Sequence, residues 1–498
     1  MNSISTNILS ISAQRSVGQA GSALSTSMER LSSGLRINSA KDDAAGLGIS
    51  ERMTSQVRGL SQAIRNSNDG ISMMQTAEGA LQESTNIMQR MRELAVQSAN
   101  DTNSASDRSN LQKEVSQLQE ELNRIASSTS FNGKNLLDGS LNNAKFHIGH
   151  ESGQTINVSI GDARSTSMGT NRVSLGGAAG TYLKAAKGTV NGIVAEKLTV
   201  AGSSGSEVVN VSKSDSARTI AEAVNAKTGS TNVSASAQTI AVIDTISKAG
   251  TIAFDLEGQN EGDAIRVSAQ VTDTTDLSDL AKSINDVAGK TGVRAVLSDD
   301  KSQIMLENSD GYDISVVNQS ANETFNLSMA KVSGDFAEGE DVFSAGSILG
   351  AAQTVAKAGG EATVAGTVEF DSANSFSVLG EGTLAQAATT ASTLEDIGSV
   401  DISTQAGSNA ALDTIDGALS FIAEQRSAMG AVMNRFESTI SNLSNVVENT
   451  EAARSRITDA DFAKETAALS KAQVLQQASM AMLAQANQAP QSVLSLLR

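Results

Sequence analysis

Apolar residues toward the C-terminus recur in alternating steps of three and four. Leu412, Ile415, Leu419, Ile422, Met429, Met433, Phe436, Ile440, Leu443 and Val447 keep this register, and only Arg426 interrupts it. The spacing puts them on one stripe of a helix, at the a and d positions of a heptad. It predicts a helix over about residues 410–452, roughly 60 Å long at the α-helical rise. The N-terminal third carries matching seams. Met74, Ala77, Leu81, Met88, Met91 and Ala95 form one; Leu111, Val115, Leu118, Leu122 and Ile125 form another. The polar stretch Asn100-Asp101-Thr102-Asn103-Ser104 separates them and reads as a turn. Two antiparallel helices joined there need a third element to close their core, and the 410–452 helix is the candidate.

The extreme ends differ. Ile4, Ile8, Ile11, Val17, Leu24, Met28, Leu31 and Leu35 make a weaker stripe, and Leu469, Ala472, Leu475, Ala478, Met482 and Leu483 make another. Both are rich in Ala, Ser and Gln, so each alone buries too little to be stable in water. Gly34 fits a helix C′ position. Ser39 and Asp42 fit a capping box for the next helix, and Thr458-Asp459-Ala460-Asp461 repeats that spacing before the last one.

The middle changes period. Ile156-Asn157-Val158-Ser159-Ile160 alternates like a strand, as do Lys197-Leu198-Thr199-Val200 and Val208-Val209-Asn210-Val211. An internal repeat follows. Ile220-Ala221-Glu222-Ala223-Val224-Asn225 with Lys227-Thr228-Gly229 resembles Leu280-Ala281-Lys282-Ser283-Ile284-Asn285 with Lys290-Thr291-Gly292. Each copy predicts a short helix leading into a strand, at Val233 to Ala237 and Val293 to Leu297. Residues 319–400, acidic and rich in Gly, Ala and Ser, read as further strands and loops.

Composition supports this plan. The only proline is Pro490, so long elements run unbroken before it. Aromatic residues are 3% of the chain, leaving aliphatic side chains and Met to fill the core. The net charge of −18 argues against nucleic-acid binding, which needs a cationic footprint. The chain has no cysteine, which excludes disulfides and cysteine–zinc sites. The start, Met1 to Ile8, has neither the basic n-region nor the apolar h-region of a signal peptide, and no run reaches the length of a membrane span.

Little here suits catalysis. The two histidines, His147 and His150, sit in Phe146-His147-Ile148-Gly149-His150-Glu151, which is neither H-E-x-x-H nor its inversion. Gly289-Lys290-Thr291 lacks the first glycine of a phosphate-binding loop, since Ile284 stands in its place. No G-x-S-x-G elbow or EF-hand loop occurs. Arg90, Arg92 and Glu93, with Glu114 on the next helix, read first as a solvated face of surface ion pairs. We therefore expect no catalytic residues, no metal and no cofactor.

Several long motifs resemble bacterial flagellin, in the right order. They include Glu29-Arg30-Leu31-Ser32-Ser33-Gly34-Leu35-Arg36-Ile37-Asn38-Ser39-Ala40-Lys41-Asp42-Asp43-Ala44-Ala45-Gly46 and Arg92-Glu93-Leu94-Ala95-Val96-Gln97-Ser98-Ala99-Asn100. Near the end stand Ala453-Arg454-Ser455-Arg456-Ile457, Leu483-Ala484-Gln485-Ala486-Asn487-Gln488 and Leu494-Ser495-Leu496-Leu497-Arg498. The resemblance covers about residues 1–170 and 405–498, and the middle repeat resembles insert modules of some flagellins and hook-associated proteins. It implies a multidomain α plus α+β/β chain, whose long antiparallel terminal helices form a helical rod, with inserted β-rich middle domains. Residues 1–43 with 455–498 are expected as a terminal coiled-coil core domain. Residues 44–174 with 406–454 are expected as a helical wall domain with a β-hairpin region. Residues 175–405 are the surface insert, with repeat modules about 190–245 and 251–318.

By the same resemblance, the chain is a structural subunit that leaves the cell by type III export and polymerises outside it. The lead residues for polymerisation are Ile4, Ile8, Ile11, Leu24, Leu31, Leu475, Met482, Val493 and Leu496. Implied partners are other copies, the filament cap, hook-associated proteins, a cytoplasmic export chaperone and a host Toll-like receptor, with neither nucleic acid nor membrane. The receptor contact falls on Gln89, Arg90, Leu94, Gln97 and Glu114. Related alternatives are a hook–filament junction protein and a filament subunit whose insert adds an adhesin. The weak end stripes generate one prediction: in the free monomer, amide exchange at residues 1–35 is fast, and strong protection there contradicts it.

Overall fold

The computed structural model describes residues 7–100, 102–176, 183–184, 191–260, 262–298, 300–320, 324–330, 343, 348–356, 359–382, 384 and 389–496. Its helices are α1 (Ile8–Ser33), α2 (Ala44–Ser98), α3 (Ala105–Ser128), α4 (Ala217–Asn225), α5 (Thr228–Thr231), α6 (Ser278–Asn285), α7 (Ala288–Thr291), α8 (Gln405–Thr458) and α9 (Phe462–Leu496). The chain divides into two compact units, residues 1–74, 143–159 and 430–498, and residues 75–142 and 160–429.

In the first unit, α2 and α8 run antiparallel. Leu60 and Ala63 pack against Leu443, and Arg454 reaches the Thr54 hydroxyl at 3.2 Å. Gly70 leaves room for the Phe436 ring, which a larger residue would crowd. The hairpin of Ala144–His147 and Thr155–Val158 places Phe146 edge-on to Phe436, with ring centroids 5.6 Å apart. His147 and His150 are exposed on and beside this hairpin, as the strand reading expects.

In the second unit, Met74's neighbours along the seam, Ala77, Leu81, Met88, Met91 and Ala95, are all buried, as are Val115, Leu122 and Ile125 of α3. The α8 stripe resolves into two rows. Ile415, Ile422, Met429, Phe436 and Leu443, seven residues apart, are buried. Leu412, Leu419, Met433, Ile440 and Val447 flank them half-buried. Arg426, the break in the register, meets Glu78 at 2.8 Å, so a polar pair occupies the one seam position without an apolar side chain. Ser104 and Asp107 form a reciprocal capping box at the start of α3.

The middle is β-rich, and the largest of its described antiparallel sheets is built round the strand Ser234–Ile246. This strand pairs with Thr367–Ser372 along its first half and with Ile304–Asn308 and Phe325–Ala330 along its second. The two repeat copies fold alike. Glu196–Ala201 and Ser206–Val211 form a hairpin followed by α4 and α5, while Gly250–Glu257 and Ile265–Val271 form one followed by α6 and α7. In the first copy, Asn225 donates to the Ala235 carbonyl at 2.7 Å and accepts from the Ala235 amide at 2.8 Å. Asn285 repeats both bonds to Ala295, at 2.8 Å each. Gly202 and Gly258 pass so close to the Thr231 and Thr291 carbonyls that a side chain at either would collide. Gly289-Lys290-Thr291 thus belongs to a helical turn with a fixed structural task.

The structure corrects one reading, the capping of α2. Asp42 accepts from the Asn38 and Ser39 amides at 3.1 and 2.9 Å and closes the turn before α2. It is Asp43 that receives the Gly46 amide, at 2.8 Å, at the helix start. At the ends, α1 and α9 are paired within one chain, as the antiparallel terminal helices of the sequence reading require, with Asn7 donating to the Ala486 carbonyl at 2.9 Å. Ile4 lies outside the described residues, as do the side chains of Val493 and Leu496.

Arg172, on the strand Gly169–Leu175, is the most deeply buried cation of an ion pair, its side chain 4% exposed. It meets Asp371 at 3.0 Å, Glu395 at 3.1 Å and Asp413 of α8 at 3.5 Å. Burial alone would lower its pKa, but the charges of Glu395, Glu369 and Asp371 more than offset this and hold it above the ordinary arginine value. Removing the buried guanidinium leaves the partly exposed Asp371 and Glu395 carboxylates facing each other without their shared counter-charge. Arg172→Ala is therefore predicted to destabilise the second unit by about 3–5 kcal/mol, seen by calorimetry as a large fall in its melting temperature. An unchanged transition would contradict this.

Candidate assembly surface

The α1–α9 pair leaves much of its apolar surface in water. The residues it buries fully are small, Ser10, Ala20 and Ser27 on α1 and Ala472 on α9, while Val17, Leu469 and Leu483 are half-buried. Other large apolar side chains point out. On α1, Ile8, Leu9, Ile11 and Met28 are 52–70% exposed; on α9, Phe462, Val474, Leu475, Met480 and Met482 are 48–65% exposed. Leu24 and Leu31 are half-buried. Burying one such side chain is worth about 1.5–3 kcal/mol, and a contiguous exposed set marks an interaction surface. Sequence reasoning assigned the large residues to a seam and so missed Leu9, Phe462, Val474 and Met480 as surface. The signal was the row of Ser and Ala at the opposing positions.

Polar contacts hold the pair in register. Asn7 caps the first turn of α1, accepting from the Ser10 amide at 3.1 Å, while its amide group reaches α9. Ser10 donates to Asn487 at 2.8 Å. Arg30 approaches Glu465 at 3.9 Å at the other end. Gly34 ends α1 with φ 72°, its amide bonded to the Arg30 carbonyl. Asp461 starts α9 by accepting from the amides of Ala463 at 3.0 Å and Lys464 at 3.1 Å.

A separate polar patch lies on α2 and α3. Arg90 donates to Glu114 at 3.0 Å and to Glu93 at 2.9 Å, and these hydrogen bonds, that to Glu93 foremost, raise the guanidinium pKa. Gln89 and Gln97 are exposed beside it and Glu114 is half-buried. Leu94 is not on this surface: at 1% exposure it packs beneath it, because its spacing from Met91 and Ala95 turns it toward the core. Arg92 points elsewhere and pairs with Asp416 at 2.7 Å.

Among the described residues, no cluster of His, Cys, Asp or Glu could hold a metal ion. An open groove of about 410 Å³ between the 144–158 hairpin and α8 is lined by Ile148, Thr155, Ile156, Asn434, Arg435, Ser438 and Thr439, which include no nucleophile–base pair.

The description of the bacterial flagellin N-terminal helical region fits residues 4–142, and that of the C-terminal helical region fits residues 412–497. The chain is 42% identical over 503 residues to the B-type flagellin of Pseudomonas aeruginosa, covering 99% of each. It belongs to the bacterial flagellin family. Flagellin B of Vibrio cholerae is similar at 38% identity over 496 residues, again with 99% of each chain covered. The flagellin hook IN motif fits residues 253–310, within the second repeat copy. The solved structure titled FliC from Burkholderia pseudomallei is 21% identical, with a TM-score of 0.29 over 74% of this chain and 99% of that one; the assignment rests on the sequence relatives. As a flagellin, the chain is a structural subunit of the bacterial flagellar filament, which is extracellular. No described helix is long and apolar enough to cross a membrane.

Proposed function

We propose that this flagellin polymerises through the outward faces of α1 and α9, and that it has no enzymatic role. The observation that carries the reading is the exposed apolar set: the contact within one chain fully buries only small residues and leaves Leu24 and Leu31 half-buried, while Ile8, Ile11, Leu475 and Met482 stay in water. A subunit of a helical polymer buries such faces against neighbouring copies, and folding is thereby coupled to assembly. Ile4, Val493 and Leu496 extend the same stripes in sequence and join the proposed set, with Leu24 and Leu31 at its margin. The three-part division at residues 43/44, 174/175, 405/406 and 454/455 follows from this reading, with the paired terminal segments as the assembly domain.

The further partners follow from the family: the filament cap, hook-associated proteins and an export chaperone for the C-terminal end. The absence of cysteine suits passage of an unfolded chain through a type III channel. We also assign recognition by a host Toll-like receptor to the patch formed by Gln89, Arg90, Gln97 and Glu114, with Leu94 supporting it from the core. Its Arg90 and Glu114 charges are half-exposed and held in a bonded pair, so they present a fixed outline.

Two outcomes are expected. Ile8→Asp with Met482→Glu should abolish filaments in electron micrographs without shifting the melting of residues 44–458, because neither side chain belongs to that core; normal filaments would refute the surface. Arg90→Ala with Glu114→Ala should lose most receptor signalling by the monomer, and undiminished signalling would remove the patch from consideration.

A further inference from the structure

The two chain breaks that separate the terminal pair from α2 and α8 are bonded to each other. The Arg36 amide donates to the Thr458 carbonyl at 2.6 Å, and the Ala460 amide donates to the Gly34 carbonyl at 2.9 Å. Leu35 and Asp459 thus form an antiparallel bridge. The Arg36 side chain adds to it: Nε and Nη2 donate to the Ile457 carbonyl at 3.1 and 2.6 Å. That carbonyl is among the last of α8, where unpaired acceptors and the negative end of the helix dipole favour a cation.

The surroundings explain why this point matters. Along α1 the seam alternates buried small residues, Ser10, Ala20 and Ser27, with half-buried Val17, Leu24 and Leu31, a heptad repeat that fixes register weakly because a slide by one repeat exchanges like side chains. The bonds of Asn7 and Ser10 sit at the far end of the pair. Near the joint, the side-chain tie across the pair is the long Arg30–Glu465 contact at 3.9 Å. We propose that Arg36 is a positioning residue for filament assembly: by capping α8 from the segment that leaves α1, it sets the register in which α1 and α9 present their apolar faces. This rests on the reading that those faces carry the subunit contacts.

The test uses full-length protein and the critical concentration for elongation from filament seeds. Arg36→Ala should raise it by about tenfold, the loss expected for a charge-assisted bond, while the melting of the α2–α8 body stays unchanged. Arg36→Lys should restore little, since an ammonium cannot place two planar donors on one carbonyl. The bridge offers a chemical rescue. Leu35 and Asp459 are a non-hydrogen-bonded antiparallel pair, whose close spacing suits a disulfide, and the chain has no other cysteine. Leu35→Cys with Asp459→Cys in the Arg36→Ala background should return elongation to parental concentrations when oxidised and lose the gain on reduction. Arg36→Ala elongating like the parent, or an oxidised pair that fails to rescue, overturns the inference. A chain lacking residues 1–35 separates the levels. If it is blocked while Arg36→Ala is not, only the clamp fails; if it also elongates normally, the assembly reading fails with it.

Discussion

The organising constraint is a helix pair that cannot satisfy its own apolar surface. Between α1 and α9 lie Ser10, Ala20, Ser27 and Ala472, and on their outer sides stand Ile8, Ile11, Phe462, Val474 and Met482. Small residues let the helices approach but remove little apolar area from water. Such a pair is marginal alone and gains when other copies cover it. The longer helices have the opposite arrangement. Ile415, Ile422, Met429 and Phe436 face inward every seventh residue, so α8 is held with its neighbours inside one chain. One chain thus combines helices whose large apolar residues are buried within it and ends whose large apolar residues stay exposed.

The middle follows a third logic. Two copies of a hairpin–helix–strand module each fix the return of the chain with one asparagine, Asn225 or Asn285, bonded to both backbone groups of the residue ten positions on. The two-way amide bond sets where the strand enters, and in the second copy Phe254 packs against Phe325 in the core. Arg172, itself buried, then ties strands of the second unit to Asp413 of α8.

Much of this was legible in the sequence. The heptad steps from Leu412 to Val447 and from Met74 to Ala95 located the core because burial on a helix follows a fixed period. The repeat was legible because its helix, Lys-Thr-Gly turn and strand recur with the same offset. The exposed apolar faces at the ends were not, because periodicity marks a stripe without saying which way it faces. Leu94 shows the same limit: membership of a surface motif does not put a side chain on the surface. Asp43, rather than Asp42, caps α2 because adjacent acids offer equivalent patterns and only the backbone path chooses between them. The Arg36 clamp joins residues more than four hundred positions apart and leaves no local trace.

The most direct measurement is a near-atomic cryo-electron microscopy reconstruction of filaments grown from this chain. The account predicts that Ile8, Ile11, Leu475 and Met482 are buried against neighbouring subunits, while Ser10, Ala20, Ser27 and Ala472 remain between α1 and α9 of the same subunit. A filament in which those large side chains still face solvent, or in which they turn inward within their own subunit, would contradict it.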